Sequence, residues 1–187
     1  MGQVTLITGG ASSGKSSHAL RLAAEFGPRI LFIATCVPRD AEMQAKVARH
    51  QGERPAAWTT VEATRRLADL FAARSDGDHF HGDPFPGDSF HGAIVDCLTL
   101  LISQLLIEDA PDAEILLEVR STCQAAKEAA YPVVVVTNEV GLGLVPEHPL
   151  GRRFRDLQGR ANQLAASLAD EVVLVVSGIP MRIKHAG

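Results

Sequence analysis

The sequence has few cysteines, few aromatic residues and no long apolar segment. Its 187 residues include three cysteines, one tryptophan and one tyrosine, and no C-x-x-C pair is present. An odd number of scattered cysteines disfavours a disulfide framework or a zinc site and favours a reducing cytoplasm. The apolar runs have the length of strands, far below that of a membrane span. A strand and a glycine-rich loop already occupy the start of the sequence, so we expect no signal peptide and a cytoplasmic protein.

An excess of basic charge is also absent. The formal net charge is −4 at pH 7, which disfavours binding to nucleic acid or to a membrane surface. Hydrophobic residues make up 46% of the chain, so we expect it to fold. The length predicts one domain covering residues 1–187.

The most informative pattern is a complete P-loop, G-G-A-S-S-G-K-S, between a predicted strand and a predicted helix. Its glycines allow several backbone N–H groups to point at one anion, and the following helix adds the positive end of its dipole. Lys15 can reach the β- and γ-phosphates, and the Ser16 hydroxyl can ligate Mg²⁺. The predicted nucleotide-binding residues here are Gly9, Gly10, Ala11, Ser12, Ser13, Gly14, Lys15 and Ser16.

Apolar runs alternate with helical patterns along the chain. We predict strands at residues 4–8, 30–35, 57–61, 93–96, 133–137 and 171–177. We predict helices at residues 17–26, 40–51, 64–74, 98–107, 112–130 and 149–168. The alternation predicts an α/β, P-loop NTPase-like fold, with a mostly parallel central sheet and helices on both faces.

Residues 75–91 break every periodic pattern and are predicted to form a long surface loop, inserted into the single domain. The loop contains His79, His81 and His91 together with several aspartates. Histidines in a polar, acidic loop are more typical of a solvated segment than of a metal site.

Several polar residues at predicted strand or helix ends are candidates for chemistry. Asp96 ends an apolar strand, where it can hold Mg²⁺ near the phosphates or cap the next helix. His50 ends a helical pattern, and most histidines in such a position have no catalytic role. Glu62 can bind a base or ribose, or face the start of a helix.

Two further groups lie toward the end of the chain. Thr137, Asn138 and Glu139 follow a buried strand and therefore lie at the carboxyl edge of the sheet, where open α/β folds bind ligands. The apolar turn at residues 141–146 suggests a contact surface. One predicted helix carries a basic cluster that forms either a solvated face or a phosphate or subunit contact, and its members are Arg152, Arg153, Arg155 and Arg160.

Taken together, several segments resemble the bifunctional adenosylcobinamide kinase/adenosylcobinamide-phosphate guanylyltransferase family of cobalamin biosynthesis. The segments are L-I-T-G-G-A-S-S-G-K-S, F-I-A-T, D-A-E-M-x-x-K-V-x-R-H-x-x-x-R-P, W-x-T-V-E, V-D-C-L-T-L and T-N-E-V-G-L-G-L-V-P-E-H-P-L-G-R-R-F-R-D-L-Q-G-R-A-N-Q. They span nearly the whole chain except residues 75–91. The segments around R-H-x-x-x-R-P and N-E-V-G-L-G-x-V-P are far more specific than a P-loop.

The resemblance implies two reactions. In the first, ATP or GTP phosphorylates the aminopropanol hydroxyl of adenosylcobinamide. In the second, GTP gives its GMP unit to that phosphate through a histidine–GMP intermediate, and this histidine corresponds to His50. The resemblance also implies Mg²⁺ as cofactor and a homo-oligomer, a trimer, with active sites between subunits.

Individual positions carry over with the resemblance. It places Ala34, Thr35 and Cys36 beside the nucleotide, assigns Glu62 to the guanine nucleotide, and puts Asp96 near the metal and phosphates. Residues implied to form part of the GTP site are Gln51, Gly52, Glu53 and Arg54.

The sequence departs from the family pattern at two places. Ser12 stands where family members often carry arginine, which would weaken a secondary phosphate contact, and the 75–91 loop is longer than usual. Two other functions stay open at this stage: guanylyl transfer alone, with the kinase step lost, and a non-catalytic nucleotide switch.

Overall fold

The computed structural model describes residues 2–36, 54–72 and 90–185. Within them, strands form one sheet in the order β3-β2-β4-β5-β1-β6-β7. The strands are β1 (Val4–Gly9), β2 (Ile30–Ala34), β3 (Thr59–Glu62), β4 (Gly92–Asp96), β5 (Val133–Val136), β6 (Glu171–Val176) and β7 (Ile179–Lys184). The helices are α1 (Lys15–Glu25), α2 (Asp69–Ala72), α3 (Leu98–Ile107), α4 (Asp112–Glu128) and α5 (Pro149–Leu168).

The sheet is parallel except at its last pair, in which β7 runs antiparallel to β6. β5 lies between β1, which leads into the P-loop, and β4, which ends at Asp96. Parallel strands place their carboxyl ends at one edge of the sheet. This edge, which we call the carboxyl edge, therefore gathers the P-loop and Asp96.

Both faces of the sheet are covered. On one face, strand residues such as Leu6 and Val135 pack in one apolar cluster with buried residues of α3, α4 and α5, including Leu101, Val119 and Leu157. On the other face, alternate strand residues pack with Ala19 and Ala23 of α1 and with Trp58. This period-two division of strand side chains confirms the predicted α/β fold with a mostly parallel sheet and helices on both faces.

The predicted helix at residues 64–74 is wrong for residues 64–68, which form turns ahead of α2. Arg66 has a φ of 54°, in the left-handed region that interrupts a right-handed helix. The Leu67 N–H donates at 2.9 Å to the Glu118 carboxylate rather than to a helical carbonyl. A contact with α4, distant in sequence, overrides the local pattern here.

Two strand predictions also need correction. The strand predicted at residues 57–61 forms at Thr59–Glu62, because Trp58 is held in a turn by its N–H donating to the Pro55 carbonyl at 3.0 Å. β7 was not predicted, since Pro180 and charged residues interrupt its apolar pattern. An edge strand tolerates a proline, and Ser177 and Gly178, with φ of 51° and 80°, form the turn that returns the chain.

Some sequence predictions fall outside the described residues. They are the helix at 40–51, with His50, Gln51, Gly52 and Glu53, and residues 75–89 of the predicted surface loop, with His79 and His81. His91 is described, and its Nδ1 accepts the Arg29 N–H at 3.3 Å. In the described ranges, no group of three or more His, Cys, Asp or Glu side chains is placed to hold a metal ion.

Candidate active site

The P-loop connects the end of β1 to the start of α1. Gly14 is the N-cap of α1, with φ 93°, and neither a side-chain cap nor an acidic residue occupies the first turn of this helix. The first amide groups of a helix have no partner within the helix. The start of α1 therefore presents N–H groups and a positive dipole end to the position where the motif predicts phosphate.

Two glycines of the P-loop are required by close packing. A Cβ atom at Gly9 would lie 2.5 Å from the Val175 carbonyl oxygen, and one at Gly14 would lie 3.2 Å from Cα of Gly178. Gly178 also donates its N–H to the Ser13 carbonyl at 2.8 Å. The turn between β6 and β7 thus supports the back of the P-loop.

Lys15 folds over the loop that precedes it. Its Nζ donates to the Gly10 carbonyl at 3.0 Å, and the residue is 8% exposed. Ser16 is the second residue of α1 and is half-buried, whereas Gly10, Ala11 and Ser12 are exposed. The lysine ammonium therefore lies against the loop backbone that would hold the phosphates, and Ser16 follows it in the first turn of α1.

Strand register places the other predicted residues along the same edge. Ala34 pairs with both Glu62 and Asp96, and Asp96 in turn pairs with Val136, which pairs with Ile7 just before the P-loop. Neighbouring strands lie about 4.8 Å apart. The ends of β3, β2, β4, β5 and β1 therefore form one continuous row.

Thr35 uses its hydroxyl to hold the chain just after Asp96. The residue is fully buried; its Oγ1 donates to the Cys97 carbonyl at 2.6 Å and accepts the Cys97 N–H at 2.8 Å. Its own N–H donates to the Asp96 carbonyl at 3.2 Å. Thr35 is thus placed to fix Asp96, and its hydroxyl is engaged by backbone.

Asp96 does not cap the next helix, because the N-cap of α3 is Cys97. Burial raises the pKa of the Cys97 thiol to about 12, and the neighbouring charge of Asp96 adds to this shift while that of Lys15 opposes it. Cys97 is therefore a protonated, structural thiol at neutral pH. Since the charges of Asp96 and Lys15 both act on this thiol, the two side chains lie near Cys97 at the carboxyl edge.

Arg54 is the one described member of the predicted segment 50–54. Its guanidinium carbon lies 3.5 Å from the ring centroid of Phe32, and its Nη1 donates to Thr60 Oγ1 at 3.2 Å. Burial lowers the pKa of Arg54, and the charges of Asp96 and Glu62 oppose that shift. The cation stacked on Phe32 therefore faces the two carboxylates, and Glu62 itself is exposed at the end of β3.

A polar network lies under the end of β5. Thr137 Oγ1 donates to Asn162 Oδ1 at 2.7 Å, and Gln158 Nε2 donates to Thr137 Oγ1 at 2.9 Å. Thr99 Oγ1 accepts the Asn138 N–H at 2.8 Å. Sequence reasoning found the Thr137–Glu139 segment but missed Thr99, Gln158 and Asn162. The i, i+4 spacing of the two α5 amides, beside the apolar core positions of that helix, was the available signal.

Several buried oxygens at or near this edge lack a hydrogen-bond partner in the described part of the chain. They are Thr8 Oγ1, Ser13 Oγ, Asn138 Oδ1 and Gln158 Oε1. Buried polar atoms are nearly always bonded in folded proteins. Unpartnered atoms beside a P-loop are consistent with a site whose ligand supplies the missing contacts.

The basic cluster on α5 makes contacts within its own chain. Arg153 Nε donates to Asp112 at 2.8 Å, Arg160 lies 3.7 Å from the same carboxylate, and Arg155 lies 3.6 Å from Asp156. Arg152 donates to the Pro146 and Glu147 carbonyls. The four arginines therefore do not converge on a common phosphate position.

The comparison with protein families gives one match that covers most of the chain. A family model described as "Cobinamide kinase / cobinamide phosphate guanyltransferase" matches residues 5–183.

Three relatives are similar over nearly their whole length. "Bifunctional adenosylcobalamin biosynthesis protein CobU" of Salmonella typhimurium is 41% identical, over 96% of this chain and 98% of that protein. The protein of the same name from Escherichia coli is 39% identical with the same coverage. "Bifunctional adenosylcobalamin biosynthesis protein CobP" of Pseudomonas aeruginosa is 37% identical, over 96% of each chain.

Among solved structures, the fold is similar to that of the flagellar accessory protein FlaH from Methanocaldococcus jannaschii. The TM-score is 0.51 at 13% sequence identity, covering 98% of this chain and 78% of that one. At this identity the likeness shows the fold alone.

Proposed function

The chain belongs to the cobinamide kinase / cobinamide phosphate guanyltransferase family, and from that premise we propose that it catalyses two successive reactions. A nucleoside triphosphate, ATP or GTP, first phosphorylates the aminopropanol hydroxyl of adenosylcobinamide. GTP then transfers GMP to the new phosphate, which releases pyrophosphate and forms adenosylcobinamide-GDP. The family match over residues 5–183, P-loop included, is the observation that carries this proposal. It also supports one domain spanning residues 1–187.

In the kinase reaction, the P-loop amides and Lys15 hold the triphosphate. The uncapped start of α1 and the burial of the lysine support this role. Their positive charge stabilises the charge that spreads over the transferred phosphoryl group. The residues from Gly9 to Ser16 thus act by position and electrostatics rather than by covalent chemistry.

Ser16 and Asp96 are the proposed ligands of Mg²⁺. Hydroxyl and carboxylate oxygens are the donors this ion prefers, and it commonly takes the rest from phosphates and water. The site fits such an ion, because Asp96 ends β4 at the same edge of the sheet as the P-loop. When bound, Mg²⁺ neutralises charge on the triphosphate.

In the guanylyl transfer, His50 is the proposed nucleophile, although it lies outside the described residues. A neutral imidazole nitrogen forms a bond to the α-phosphorus of GTP while the bond to pyrophosphate breaks. An oxygen of the cobinamide phosphate then displaces the histidine from the same phosphorus. The intermediate divides one displacement into two easier ones.

Residues near Arg54 complete the proposed GTP site. Arg54 lies four positions after His50 in the sequence. Its guanidinium group lies at the carboxyl edge, near the carboxylates of Asp96 and Glu62. Ala34 and Cys36 lie at the same edge, and Gln51, Gly52 and Glu53 connect it to the nucleophile in sequence. A cation at this position would bind phosphate oxygens.

We further propose that the protein is a homo-oligomer, a trimer in keeping with the resemblance, and that it is located in the cytoplasm. Leu142 and Leu144 are 88% and 97% exposed, and Ile179 and Ile183 of the edge strand β7 are more than half exposed. Exposed aliphatic side chains and an open edge strand are features that a second copy would cover. Light scattering on the purified chain tests the oligomeric state, and a monomer mass at all concentrations would exclude a homo-oligomer.

In the described ranges, no helix is long and apolar enough to cross a bilayer.

One labelling experiment tests the overall proposal. Adenosylcobinamide, Mg²⁺ and GTP labelled at the α-phosphate should yield labelled adenosylcobinamide-GDP. Supplying adenosylcobinamide phosphate instead bypasses the kinase step, so product from that acceptor alone would indicate guanylyl transfer only. No product from either acceptor would indicate a non-catalytic nucleotide switch and contradict the proposal.

A second experiment tests the nucleophile. After incubation with α-labelled GTP and denaturation, the chain should carry an acid-labile, alkali-stable label that His50→Ala abolishes. His148→Ala is the matched control, because His148 caps α5 by accepting the Leu150 N–H at 3.3 Å and has no proposed role in transfer. Equal labelling of the wild type and His50→Ala would exclude His50.

A further inference from the structure

Asn138 occupies the point of the carboxyl edge between the two phosphate-binding elements. It follows β5 by two residues, and β5 lies between β1, which leads into the P-loop, and β4, which ends at Asp96. Asn138 belongs to the N-E-V-G-L-G-x-V-P segment and to the ligand-binding edge expected from the sequence, but neither the family resemblance nor the proposed function gives its side chain a role.

The backbone at Asn138 is held on three sides. Its N–H donates to Thr99 Oγ1 at 2.8 Å, and its carbonyl accepts Asn162 Nδ2 at 2.9 Å. The next residue, Glu139, donates its N–H to the Gly9 carbonyl at 3.0 Å. These contacts tie Asn138 to α3, to α5 and to the first residue of the P-loop.

The groups that hold Asn138 are themselves fixed by the buried network under β5. Asn162 Oδ1 accepts from both Thr137 and Gln158, at 2.7 and 2.8 Å. Thr99, Thr137 and Gln158 are buried. Buried, bonded polar groups have well-defined positions, so the network fixes the backbone of Asn138.

The side chain of Asn138, by contrast, is incompletely bonded. Its Oδ1 is buried and accepts no hydrogen bond from the described residues. Gln158 Oε1 is in the same condition, but Gln158 is fully buried, whereas Asn138 as a residue is partly exposed, although its Oδ1 is covered; Asn138 therefore lies nearer to a ligand at this edge. A buried amide oxygen without a donor destabilises the fold, and a bound ligand that donates to it removes that cost.

The missing partner must be a hydrogen-bond donor. The phosphate oxygens of a bound triphosphate are acceptors, so they do not supply one. Among the groups that come to the terminal phosphate in the kinase step, the hydroxyl of the acceptor substrate is the one that reacts there, and it carries a proton. An amide oxygen accepts from such a hydroxyl.

We propose that Asn138 is a catalytic residue of the kinase step, whose amide oxygen accepts a hydrogen bond from the acceptor hydroxyl and aims its oxygen at the terminal phosphorus. The hydroxyl oxygen bonds to that phosphorus, and the bond from phosphorus to the nucleoside diphosphate breaks. The proton passes to a phosphate oxygen, so Asn138 orients the hydroxyl and takes no proton. Phosphoryl transfer depends mainly on such positioning.

This inference rests on the proposed function, and the second reaction supplies its internal control. In guanylyl transfer the attacking group is a phosphate oxygen rather than a hydroxyl. Asn138→Ala should therefore lower kcat for phosphorylation of adenosylcobinamide by about 10²-fold, since positioning contacts of this kind have that effect. It should leave GMP transfer to adenosylcobinamide phosphate close to the wild-type rate.

Thermal unfolding separates this role from a structural one. The buried oxygen removed in Asn138→Ala has no partner among the described residues, so the melting temperature should stay unchanged or rise. Asn162→Ala is the matched control, because both ends of that amide are bonded and its loss should lower the melting temperature. Asn138→Asp retains an acceptor oxygen and should recover part of the lost kcat.

Three results would overturn the proposal: a kinase rate of Asn138→Ala near that of wild type, equal losses in both reactions, or a fall in melting temperature matching that of Asn162→Ala. The wild type is measured alongside. A wild type that phosphorylates no adenosylcobinamide refutes the proposed kinase function and the inference with it. If the wild type phosphorylates adenosylcobinamide, the proposed kinase function holds. The ratio of the Asn138→Ala rate to the wild-type rate then tests the role of Asn138 alone.

Discussion

The two edges of the sheet differ in how completely their polar groups are bonded. At the edge where the parallel strands begin, which we call the amino edge, Asp170 and Lys184 are hydrogen-bonded to neighbouring parts of the chain. At the carboxyl edge, Ser13 and Asn138 have buried side-chain oxygens that lack a partner in the described residues. Asp170 accepts the Val4 N–H at 2.9 Å and the Lys127 ammonium at 3.2 Å. Lys184 donates to carbonyls at the end of α5.

We infer from this difference that the amino edge of the sheet mainly stabilises the fold, whereas the carboxyl edge mainly serves function. Contacts at the amino edge join β6, β1, α4 and α5 and need no ligand. At the carboxyl edge the start of α1 has no side-chain cap and some buried polar atoms lack a partner within residues 2–36, 54–72 and 90–185, which costs stability that the rest of the fold offsets. Substitutions at the amino edge should therefore change stability, and those at the carboxyl edge should change catalysis.

The largest effect on catalysis is expected at Lys15. Lys15→Ala should lower both phosphoryl and GMP transfer by about 10³-fold, because it removes a cation that stabilises the charged transition state. Lys127→Ala, at the amino edge, should leave both rates unchanged and lower the melting temperature, since it breaks the contact with Asp170. Steady-state rates and thermal unfolding of both variants check the contrast, which a large loss of activity in Lys127→Ala would break.

A smaller effect, about 10²-fold, is expected at Asp96. Asp96→Asn should lower kcat and raise the Mg²⁺ concentration needed for half-maximal rate, because an amide is a weaker ligand than a carboxylate. Asp170→Asn serves as the matched change at the opposite edge and should not alter the Mg²⁺ dependence. Identical Mg²⁺ curves for Asp96→Asn and wild type would remove Asp96 from the proposed metal site.

Thr35 sharpens the comparison, because it is a carboxyl-edge residue whose hydroxyl is fully engaged. Thr35→Val should lower kcat about tenfold by releasing Cys97 and so Asp96, an effect typical of residues that orient a metal ligand. Thr35→Ser retains the hydroxyl and should recover most of the rate. The Mg²⁺ dependence of the two variants is the measurement, and equal behaviour of Val and Ser would show that the hydroxyl has no positioning role.

The smallest effect on catalysis, none at neutral pH, is expected at Asp170. The backbone hydrogen bond from Val4 lowers the pKa of this carboxyl, with Lys127 adding to the shift. A carboxyl whose pKa is lower in the folded state stabilises the fold above its unfolded pKa, and that stabilisation is lost as the pH falls through the folded value.

Asp170→Asn should therefore lower the free energy of unfolding at pH 7 by about 2 kcal/mol, the usual size for hydrogen bonds to a charged group. Urea unfolding should show a gap between this variant and wild type that narrows below the ordinary carboxyl pKa of 3.8. A gap that stays constant with pH would show that the charge of Asp170 does not contribute.

Much of the fold could be predicted because its signals are local. The bounds of α3 and α5 match the periodicity at residues 98–107 and 149–168, and the P-loop stands between β1 and α1 as its motif requires. The turns at residues 64–68 could not be predicted, since Glu118, some fifty positions away, holds the Leu67 N–H.

The candidate site also contains residues that could be recognised from local sequence and residues that could not. Asp96 and Thr137 were found because they end buried strands. The hydroxyl of Thr35 and the amide of Asn162 were not interpretable from sequence, because their partners, Cys97 and the end of β5, become neighbours only when the sheet forms and α5 packs on it. The role proposed for Asn138 depends on an oxygen that has no partner in the part of the chain that the structure describes, and such an atom leaves no pattern in the sequence.

Amide hydrogen exchange with and without Mg²⁺ and GTP tests the contrast between the two edges most directly. Binding should slow exchange at the carboxyl edge, in residues 9–18 and 137–139, and leave it unchanged at the amino edge around Val4 and Asp170. Slowing at the amino edge, or no change at the P-loop, would contradict the conclusion that the carboxyl edge is the site left open for nucleotide.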